Sequence, residues 1–200
     1  MVRATFRFYD GLNDFLVRER RGHAFDTPCA REATTKHMIE ALGVPHTEVE
    51  LILVNGVSTG LDKLIEDGDR IAVYPRFASL DVADTARLAQ RPPGRLRFVA
   101  DAHLGGLARL LRMAGFDTIY ANDIDDDAIE EHALDDGRIV LSRDRELLKR
   151  RGVQYGAYVR AIKPQAQLRE LFERFELAER ARPFTLCLHC NAALRPAGKE

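Results

Sequence analysis

The stretch FVADAHLGGLARLLRMAGFD, residues 98–117, decides the fold of the C-terminal half of the chain. Its first apolar residues predict a buried strand that ends at Asp101. The apolar residues that follow recur at helical spacing, at Leu104, Leu107, Leu111 and Ala114. They predict a helix over 104–114, which Gly115 ends, before a second strand over 116–120. A strand, a helix and a further strand in this order are typical of a parallel sheet.

Strands and helices continue to alternate after this stretch. The periodicity predicts helices over 127–135, 144–152 and 164–177, and strands over 138–142 and 157–162. Parallel strands need crossover connections, and helical crossovers cover both faces of such a sheet. We therefore predict an α/β domain over residues 95–182, with a mainly parallel sheet and helices on both faces, followed by a tail over residues 183–200.

The N-terminal half has a different pattern. VRATFRF, residues 2–8, alternates apolar and polar residues like a half-buried strand, and Asn55-Gly56 is a typical hairpin turn. The predicted strands are 2–8, 23–26, 50–54 and 70–74, and the predicted helix is 31–42. This order, two strands and a helix followed by more strands, predicts a separate α+β domain over residues 1–78.

The segment between the two predicted domains, residues 79–94, reads SLDVADTARLAQRPPG and loses the strand pattern. Pro92 and Pro93 stiffen the chain, and Gly94 then breaks it. We place the domain boundary in this linker.

Composition limits the classes of function. The 200 residues include 30 Lys and Arg and 31 Asp and Glu, which gives a formal charge of −1 at pH 7. This balance argues against a generally basic surface, so any contact with RNA has to come from local patches. The N-terminus does not have the apolar core of a signal peptide, and no apolar run approaches the length that spans a bilayer. We expect a cytoplasmic protein with no membrane contact.

Acidic residues follow the predicted strands of the C-terminal domain. Asp101 comes directly after the first strand, Asp126 lies where the next helix begins, and Asp144 follows the third strand by two residues. Ligands of open parallel sheets bind beyond the carboxyl ends of the strands, so these carboxylates are expected to lie close together. Grouped carboxylates repel each other unless a cation lies between them, and oxygen ligands suit Mg²⁺ or Mn²⁺. The sequence thus predicts a divalent-metal site.

Helix capping is the alternative explanation for each of these residues taken singly. Asp is a favoured N-cap residue, and both Asp126 and Asp144 fall at predicted helix starts. Asp101 fits this explanation less well because its helix is predicted to begin a few residues later, and a carboxylate that ends a buried strand needs a partner. The three residues together favour the metal site.

Three sequence blocks carry a family resemblance: residues 98–117, NDIDDDAIEEHA at 122–133 and GRIVLSRDRELLKRRG at 137–152. With these blocks, residues 96–194 resemble the Mut7-C RNase domain, a branch of the PIN-like nucleases. The resemblance implies a site made of Asp101, Asp126, Ser142, Asp144 and Glu146. Asp125 is the alternative to Asp126, which we choose because Ile129 looks like the first buried position of the helix.

The activity that this resemblance implies is metal-dependent hydrolysis of RNA phosphodiester bonds. The carboxylates would hold Mg²⁺ or Mn²⁺, and a bound water would attack the phosphate in line without a covalent nucleophile from the protein. Basic residues near the same sheet edge would neutralise the RNA backbone, and the candidates are Arg109, Arg112, Arg143 and Arg145. The rival hypothesis is a non-catalytic RNA-binding or adaptor protein, because a fold alone does not separate the two.

The N-terminal domain carries a second resemblance. With VNGV at 54–57 and EDGDRIAVYP at 66–75, residues 1–78 resemble the ubiquitin-like β-grasp domains related to sulfur carriers. Sulfur carriers end in a free Gly-Gly, whereas Tyr74 and Pro75 continue into further chain. Sulfur-carrier chemistry is therefore not expected, and the resemblance instead favours a domain that recruits a protein partner.

The tail contains one C-x-x-C pair, Cys187 and Cys190, whose spacing lets two thiolates share a tetrahedral zinc ion. A closed zinc site needs four ligands, and the resemblance implies a zinc ribbon with a second C-x-x-C that these 200 residues do not contain. Three explanations stay open: a remnant of a ribbon, a site shared between chains, or a sequence that ends early. Zn²⁺ is thus a secondary expectation beside Mg²⁺ or Mn²⁺.

Overall fold

The computed structural model describes residues 1–75 and 94–195. The chain divides into two compact units, Met1–Gln90 and Arg91–Glu200. The predicted linker, apart from Gly94, lies outside the described residues. No helix within the two described ranges is long and apolar enough to cross a bilayer.

The N-terminal unit contains a five-stranded sheet and one α-helix. Its elements are β1 (Val2–Phe8), β2 (Phe25–Cys29), α1 (Thr35–Ala41), β3 (Val49–Val54), β4 (Val57–Thr59) and β5 (Arg70–Pro75), with 3₁₀ helices at Asp10–Phe15, Arg18–Arg20 and His46–Glu48. The strand order is β2-β1-β5-β3-β4, in which β1 is antiparallel to β2 and parallel to β5. This arrangement confirms the predicted β-grasp fold.

The alternation in β1 decides which face of this sheet is buried. Phe6 and Phe8 are almost fully buried, whereas Arg3 and Arg7 point to the opposite, exposed face. The predicted hairpin turn joins β3 to β4, and its residues Asn55 and Gly56 both have left-handed backbone angles (φ 53° and 84°).

The C-terminal unit contains a fully parallel sheet of four strands in the order β7-β6-β8-β9. Its elements are β6 (Phe98–Ala100), α2 (Gly105–Met113), β7 (Thr118–Ile119), α3 (Asp126–Asp136), β8 (Ile139–Ser142), α4 (Arg145–Lys149), β9 (Gly156–Tyr158) and α5 (Pro164–Phe175), with 3₁₀ helices at Ala102–Leu104 and Ala178–Arg180. The prediction of a mainly parallel sheet is confirmed.

Helices cover both faces of the parallel sheet, as predicted. Phe98 and Ala100 of β6 pack into one apolar cluster with residues of α2 and α5. Val99, between them, points the other way and packs with residues of α3 and α4. Since successive side chains of a strand alternate between faces, one three-residue strand contributes to two cores.

Several elements are shorter than the periodicity predicts. β7 covers two residues at the sheet edge, where it pairs only with β6. β9 ends at Tyr158, and beyond it the backbone N–H groups of Arg160 and Ala161 donate to the carboxylate of Glu170 and not to a neighbouring strand. Such side-chain contacts come from residues distant in sequence, so apolar periodicity does not reveal them.

Candidate active site at the carboxyl edge of the parallel sheet

Hydrogen bonds join the acidic residues that follow β6 and β8. The backbone N–H of Asp101 donates to the carbonyl of Leu141 at 3.0 Å, which extends the strand pairing past β6. Ser142 Oγ donates to Asp101 Oδ2 at 2.7 Å and accepts from the backbone N–H of Asp144 at 2.8 Å. The fully buried Ser142 hydroxyl therefore brings Asp101 and Asp144 together at one edge of the sheet.

Capping does not explain Asp101. A 3₁₀ helix starts directly after it, earlier than predicted, but the Asp101 side chain accepts no capping hydrogen bond from that helix. Its half-buried carboxylate instead has the Ser142 hydroxyl as its partner. Asp144, in contrast, caps α4, because its Oδ1 accepts from the backbone N–H of Glu146 at 2.8 Å.

The acidic run at the start of α3 divides into a cap and an ion-pair network. Asp125 is the N-cap, with Oδ1 accepting from the backbone N–H of Ala128 at 2.8 Å. Asp126, the first helical residue, has its Oδ2 at 3.6 Å from a guanidinium nitrogen of Arg150. The same guanidinium lies 2.5 Å from Asp127 and 3.1 Å from Glu130. Asp125 thus caps α3 as Asp144 caps α4, and Asp126 lies in a network centred on Arg150. The choice between Asp125 and Asp126 stays a prediction.

The acidic residues do not form a preassembled three-ligand cluster. Within residues 1–75 and 94–195, no three His, Cys, Asp or Glu side chains are grouped closely enough to hold a metal ion. Asp101 and Asp144 each keep one carboxylate oxygen without a hydrogen bond in that part of the chain. Mg²⁺ is commonly held by one or two carboxylates together with waters and substrate phosphate oxygens. The pair of carboxylates fits a site of that kind.

Glu146, the fourth predicted acid, is exposed on α4. Its Oε1 is 2.7 Å from the ammonium nitrogen of Lys149, one turn later. Its backbone N–H bonds to Asp144, so the two acids are neighbours along the chain. Its carboxylate is engaged at the surface of α4 rather than with Ser142.

The structure gives Arg112 a different contact from the predicted one with RNA. Its guanidinium is buried and donates to the carbonyls of Thr118 (2.9 Å), Leu188 (3.2 Å) and His189 (2.8 Å). Burial lowers the pKa of Arg112, against the opposing influence of Cys190, Cys187 and Asp117. Arg112 therefore anchors the C-terminal segment, and its burial argues against the predicted contact with RNA.

The other three predicted arginines lie nearer the surface. Arg109 is exposed on α2. Arg143 is exposed and donates to the carbonyl of Ala161 at 2.9 Å. The guanidinium of Arg145 lies 5.9 Å from the centre of the Tyr158 ring.

An aromatic residue at this edge was missed by the sequence analysis. Tyr158 pairs with Ser142 across β8 and β9, so it ends its strand beside the acidic pair. The guanidinium groups of Arg145 and Arg160 lie 5.9 Å and 5.8 Å from the centre of its ring, within cation–π range. The sequence placed Tyr158 within the predicted fourth strand and so could have indicated that it lies near this edge. Its contacts with Arg145 and Arg160 are visible only in the folded chain.

Cys187 and Cys190 lie in a tight turn of the C-terminal segment. The backbone N–H of Cys187 donates to Ala192, and that of Asn191 donates to Cys187, at 2.8 Å and 3.0 Å. Hydrogen bonds from the backbone N–H groups of Cys190 and His189 hold the pKa of the Cys187 thiol below its ordinary value. Within the described ranges, no group of three potential ligands includes these cysteines. Zinc binding stays a prediction.

Comparison with known families matches both halves of the chain. Residues 1–81 match the Mut7-C ubiquitin family, and residues 96–200 match the Mut7-C RNAse domain. Two solved structures of small archaeal modifier protein 1 from Haloferax volcanii are 17% identical, with a TM-score of 0.31, and cover 38% of this chain and 100% and 98% of their own. The search of curated proteins found no match. Since the second family match spans over half of the residues, the chain belongs to the Mut7-C RNAse domain family and carries a Mut7-C ubiquitin domain at its N-terminus.

Proposed function

We propose that this protein is a metal-dependent ribonuclease that hydrolyses RNA phosphodiester bonds at the carboxyl edge of its parallel sheet. The observation that carries the proposal is the Ser142 hydroxyl, which links the carboxylate of Asp101 to the backbone of Asp144. Membership of the Mut7-C RNAse domain family supports RNA as the substrate. Placement beyond the ends of parallel strands is the usual position of a ligand site in such a sheet.

Asp101 and Asp144 are the residues that would hold Mg²⁺ or Mn²⁺, with Asp126 as the proposed third ligand. When bound, the ion supplies activation of a water molecule and stabilisation of the charge on the phosphate. Ser142 engages one oxygen of Asp101 and thereby orients the other. Asp126 has to leave Arg150 before it joins this pair, since its carboxylate lies 3.6 Å from that guanidinium.

Arg143 and Arg145, on either side of Asp144, are the proposed contacts to the RNA backbone, together with Arg109 on α2. Guanidinium groups match phosphate oxygens in geometry and charge. These arginines lie in a chain whose net charge is only −1, so the contact is local. Glu146 of α4 is proposed to join the site as a fourth acid after it leaves Lys149.

A non-catalytic RNA-binding or adaptor role is the second candidate. The observation that favours it is the network around Arg150, which occupies Asp126 together with Asp127 and Glu130. In this case the acidic edge would hold no catalytic ion, and the ubiquitin domain would recruit a protein partner.

Cleavage of assorted RNAs with Mn²⁺ or Mg²⁺ separates the two candidates. The variants are Asp101→Asn and Asp144→Asn, and the matched control is Asp135→Asn, an exposed acid near the end of α3. We expect cleavage by the parent and the control, and a loss of about 100-fold or more in both site variants, since each removes a ligand of the ion. The ribonuclease proposal fails if the parent cuts no RNA, or if all four proteins cut equally.

Metal binding provides a readout that does not depend on cleavage. Titration calorimetry with Mn²⁺ is expected to show binding to the parent and to Asp135→Asn, and weaker binding to Asp101→Asn. Equal binding by all three proteins would place the ion elsewhere.

A further inference from the structure

The ubiquitin domain carries an open groove on the exposed face of its sheet. The groove has a volume of about 470 Å³, and its lining includes Arg7, Tyr9, Leu53, Arg70 and Ala72. Thr5 pairs with Arg70, and Arg7 pairs with Ala72, across the parallel strands β1 and β5. Arg7 and Arg70 therefore occupy diagonal positions on the same face, close enough for one ligand to contact both.

Within residues 1–75 and 94–195, the two guanidinium groups of this groove have no carboxylate partner. Both side chains are exposed, and neither forms an ion pair with any residue in the described ranges. The guanidinium of Arg7 lies 4.8 Å from the centre of the Tyr9 ring. The nearby carboxylate of Asp26 accepts a hydrogen bond from Thr5 at 2.6 Å. The cationic side chains are thus available to an external anion.

The charge of this groove contrasts with that of the rest of its domain. Residues 1–75 contain 9 Lys and Arg and 12 Asp and Glu, a formal charge of −3. An acidic domain with an unpaired cationic groove attracts an anion to that groove and repels it elsewhere. The charge distribution therefore favours an anionic ligand in one position.

The strands that form the groove limit what kind of polymer fits. β1 and β5 are interior strands, with β2 and β3 on their outer sides. A peptide that adds to a sheet needs an unpaired edge, which neither of these strands offers. Single-stranded nucleic acid needs no such edge, because it binds cationic grooves through phosphates and apolar or aromatic surfaces through bases. Arg7 and Arg70 supply the cations, and Leu53 and Ala72 supply apolar surface beside Tyr9, whose ring stacks on that of Tyr74 at a centroid distance of 4.2 Å.

We propose that this groove of the ubiquitin domain binds single-stranded RNA. The choice of RNA among polyanions rests on the proposed function, in which RNA is the substrate of the other domain. Binding in the groove does not itself require cleavage. The ubiquitin domain would then hold the substrate in addition to any role in recruiting a protein.

The test uses the full chain with Asp101→Asn, in buffer without divalent metal, so that RNA is bound but not cut. The probe is a fluorescein-labelled oligouridylate of about 16 nucleotides, the upper site size of single-strand-binding folds. Fluorescence anisotropy measures RNA binding by two double variants. The groove pair combines Arg7→Glu and Arg70→Glu, and the control pair combines Arg18→Glu and Arg31→Glu. The control makes the same charge change on exposed residues of the same domain, outside the groove.

We expect the groove pair to weaken RNA binding at least about 10-fold and to reduce the salt slope by about 1.4, the value for two phosphate contacts on a single strand. The control pair should leave both quantities close to those of the Asp101→Asn parent. Circular dichroism and a melting curve verify that each variant is folded. The proposal is overturned if the parent binds no RNA, if the groove pair binds as tightly as the parent, or if both pairs weaken binding equally. Failure of the proposed function shows separately, as an absence of Asp101-dependent cleavage.

Discussion

At the scale of single residues, Ser142 decides how the two acids of the sheet edge are held. Its hydroxyl is fully buried and makes one hydrogen bond as donor and one as acceptor. A hydroxyl is suited to this position, since it combines both roles on one small atom. An apolar side chain there would leave the half-buried carboxylate of Asp101 and the backbone N–H of Asp144 without a partner.

We predict that Ser142→Ala lowers the free energy of unfolding by about 1–3 kcal/mol and reduces RNA cleavage. The physical reason is the loss of two hydrogen bonds that position Asp101 and Asp144. Urea unfolding measures the stability of Ser142→Ala, Asp101→Asn and the double variant. A coupling free energy of zero between the two substitutions would contradict the prediction, because residues in direct contact are expected to be non-additive.

Arg138 makes the stability of the C-terminal domain depend on pH. The buried guanidinium donates to both carboxylate oxygens of Asp117, at 2.8 Å and 3.1 Å, and to Asp136 at 2.9 Å. Burial alone would raise the pKa of Asp117, but hydrogen bonds from Arg138 and Asn191 and the nearby charges lower it overall. The pKa of Asp136 is lowered mainly by its hydrogen bond from Arg138.

We predict that Asp117→Asn is less stable than the parent at pH 7 and that the difference shrinks as the pH falls through the folded-state pKa. A lowered folded pKa means that the native state binds fewer protons than the unfolded state, so the stabilisation is present above about pH 4 and is lost in acid. Urea unfolding at several pH values measures this dependence. The control Asp135→Asn should have the same free energy of unfolding as the parent at each pH. A difference in this free energy between Asp117→Asn and the parent that stays constant from pH 7 to pH 3 would contradict the prediction.

At the scale of secondary-structure elements, α2 connects the sheet to the C-terminal segment. Arg112, near its end, holds the carbonyls of Leu188 and His189. Asn191 adds two contacts, accepting from the backbone N–H of Thr118 at 3.1 Å and donating to Asp117 at 2.7 Å. The turn that contains Cys187 and Cys190 is therefore attached to the α/β domain by these hydrogen bonds.

We predict that Arg112→Met detaches this segment and speeds its proteolysis. Methionine fills much of the volume of the buried side chain but donates no hydrogen bond to the two carbonyls. Limited proteolysis followed by mass spectrometry measures cleavage within residues 183–195. Arg109→Met is the matched control, since Arg109 is exposed on the same helix. Equal cleavage rates for the two variants would show that Arg112 does not hold the segment.

At the scale of the whole molecule, each of the two units has its own buried apolar residues. Phe6, Phe8 and Ile39 are almost fully buried in the N-terminal unit, and Phe98 and Leu111 in the C-terminal unit. A domain of 60 residues or more with its own core is able to fold alone. The two units thus meet the physical requirement for independent folding.

We predict that residues 1–78, produced alone, fold and unfold cooperatively, because the five-stranded sheet and α1 bury apolar residues of their own. Nuclear magnetic resonance spectra and urea unfolding of this fragment and of the full chain measure the result. Dispersed amide signals and a cooperative transition are expected. A fragment without dispersed signals would show that the ubiquitin domain depends on the rest of the chain.

The sequence by itself determined the kind and order of the main elements. Alternation in residues 2–8 and helical spacing in residues 104–114 reflect which side chains are buried, and that local regularity is a property of the chain. It also indicated the acids at the strand ends, because parallel strands bring their carboxyl ends to one edge. The lengths of β7, α4 and β9 did not follow from the periodicity of the sequence. Beyond β9, for example, the backbone N–H of Arg160 donates to Glu170, a contact that apolar spacing does not reveal.

Only the tertiary structure decided which of the acids and arginines act together. Ser142 connects Asp101 across 41 residues of sequence, Arg150 engages Asp126, and Arg112 reaches a carbonyl 77 residues away. None of these pairings is visible in periodicity, because a polar side chain takes its partner from whatever segment packs beside it. A buried polar group that lacks a hydrogen bond is costly, and for Ser142 and Arg112 the folded chain supplies the partners that avoid this cost.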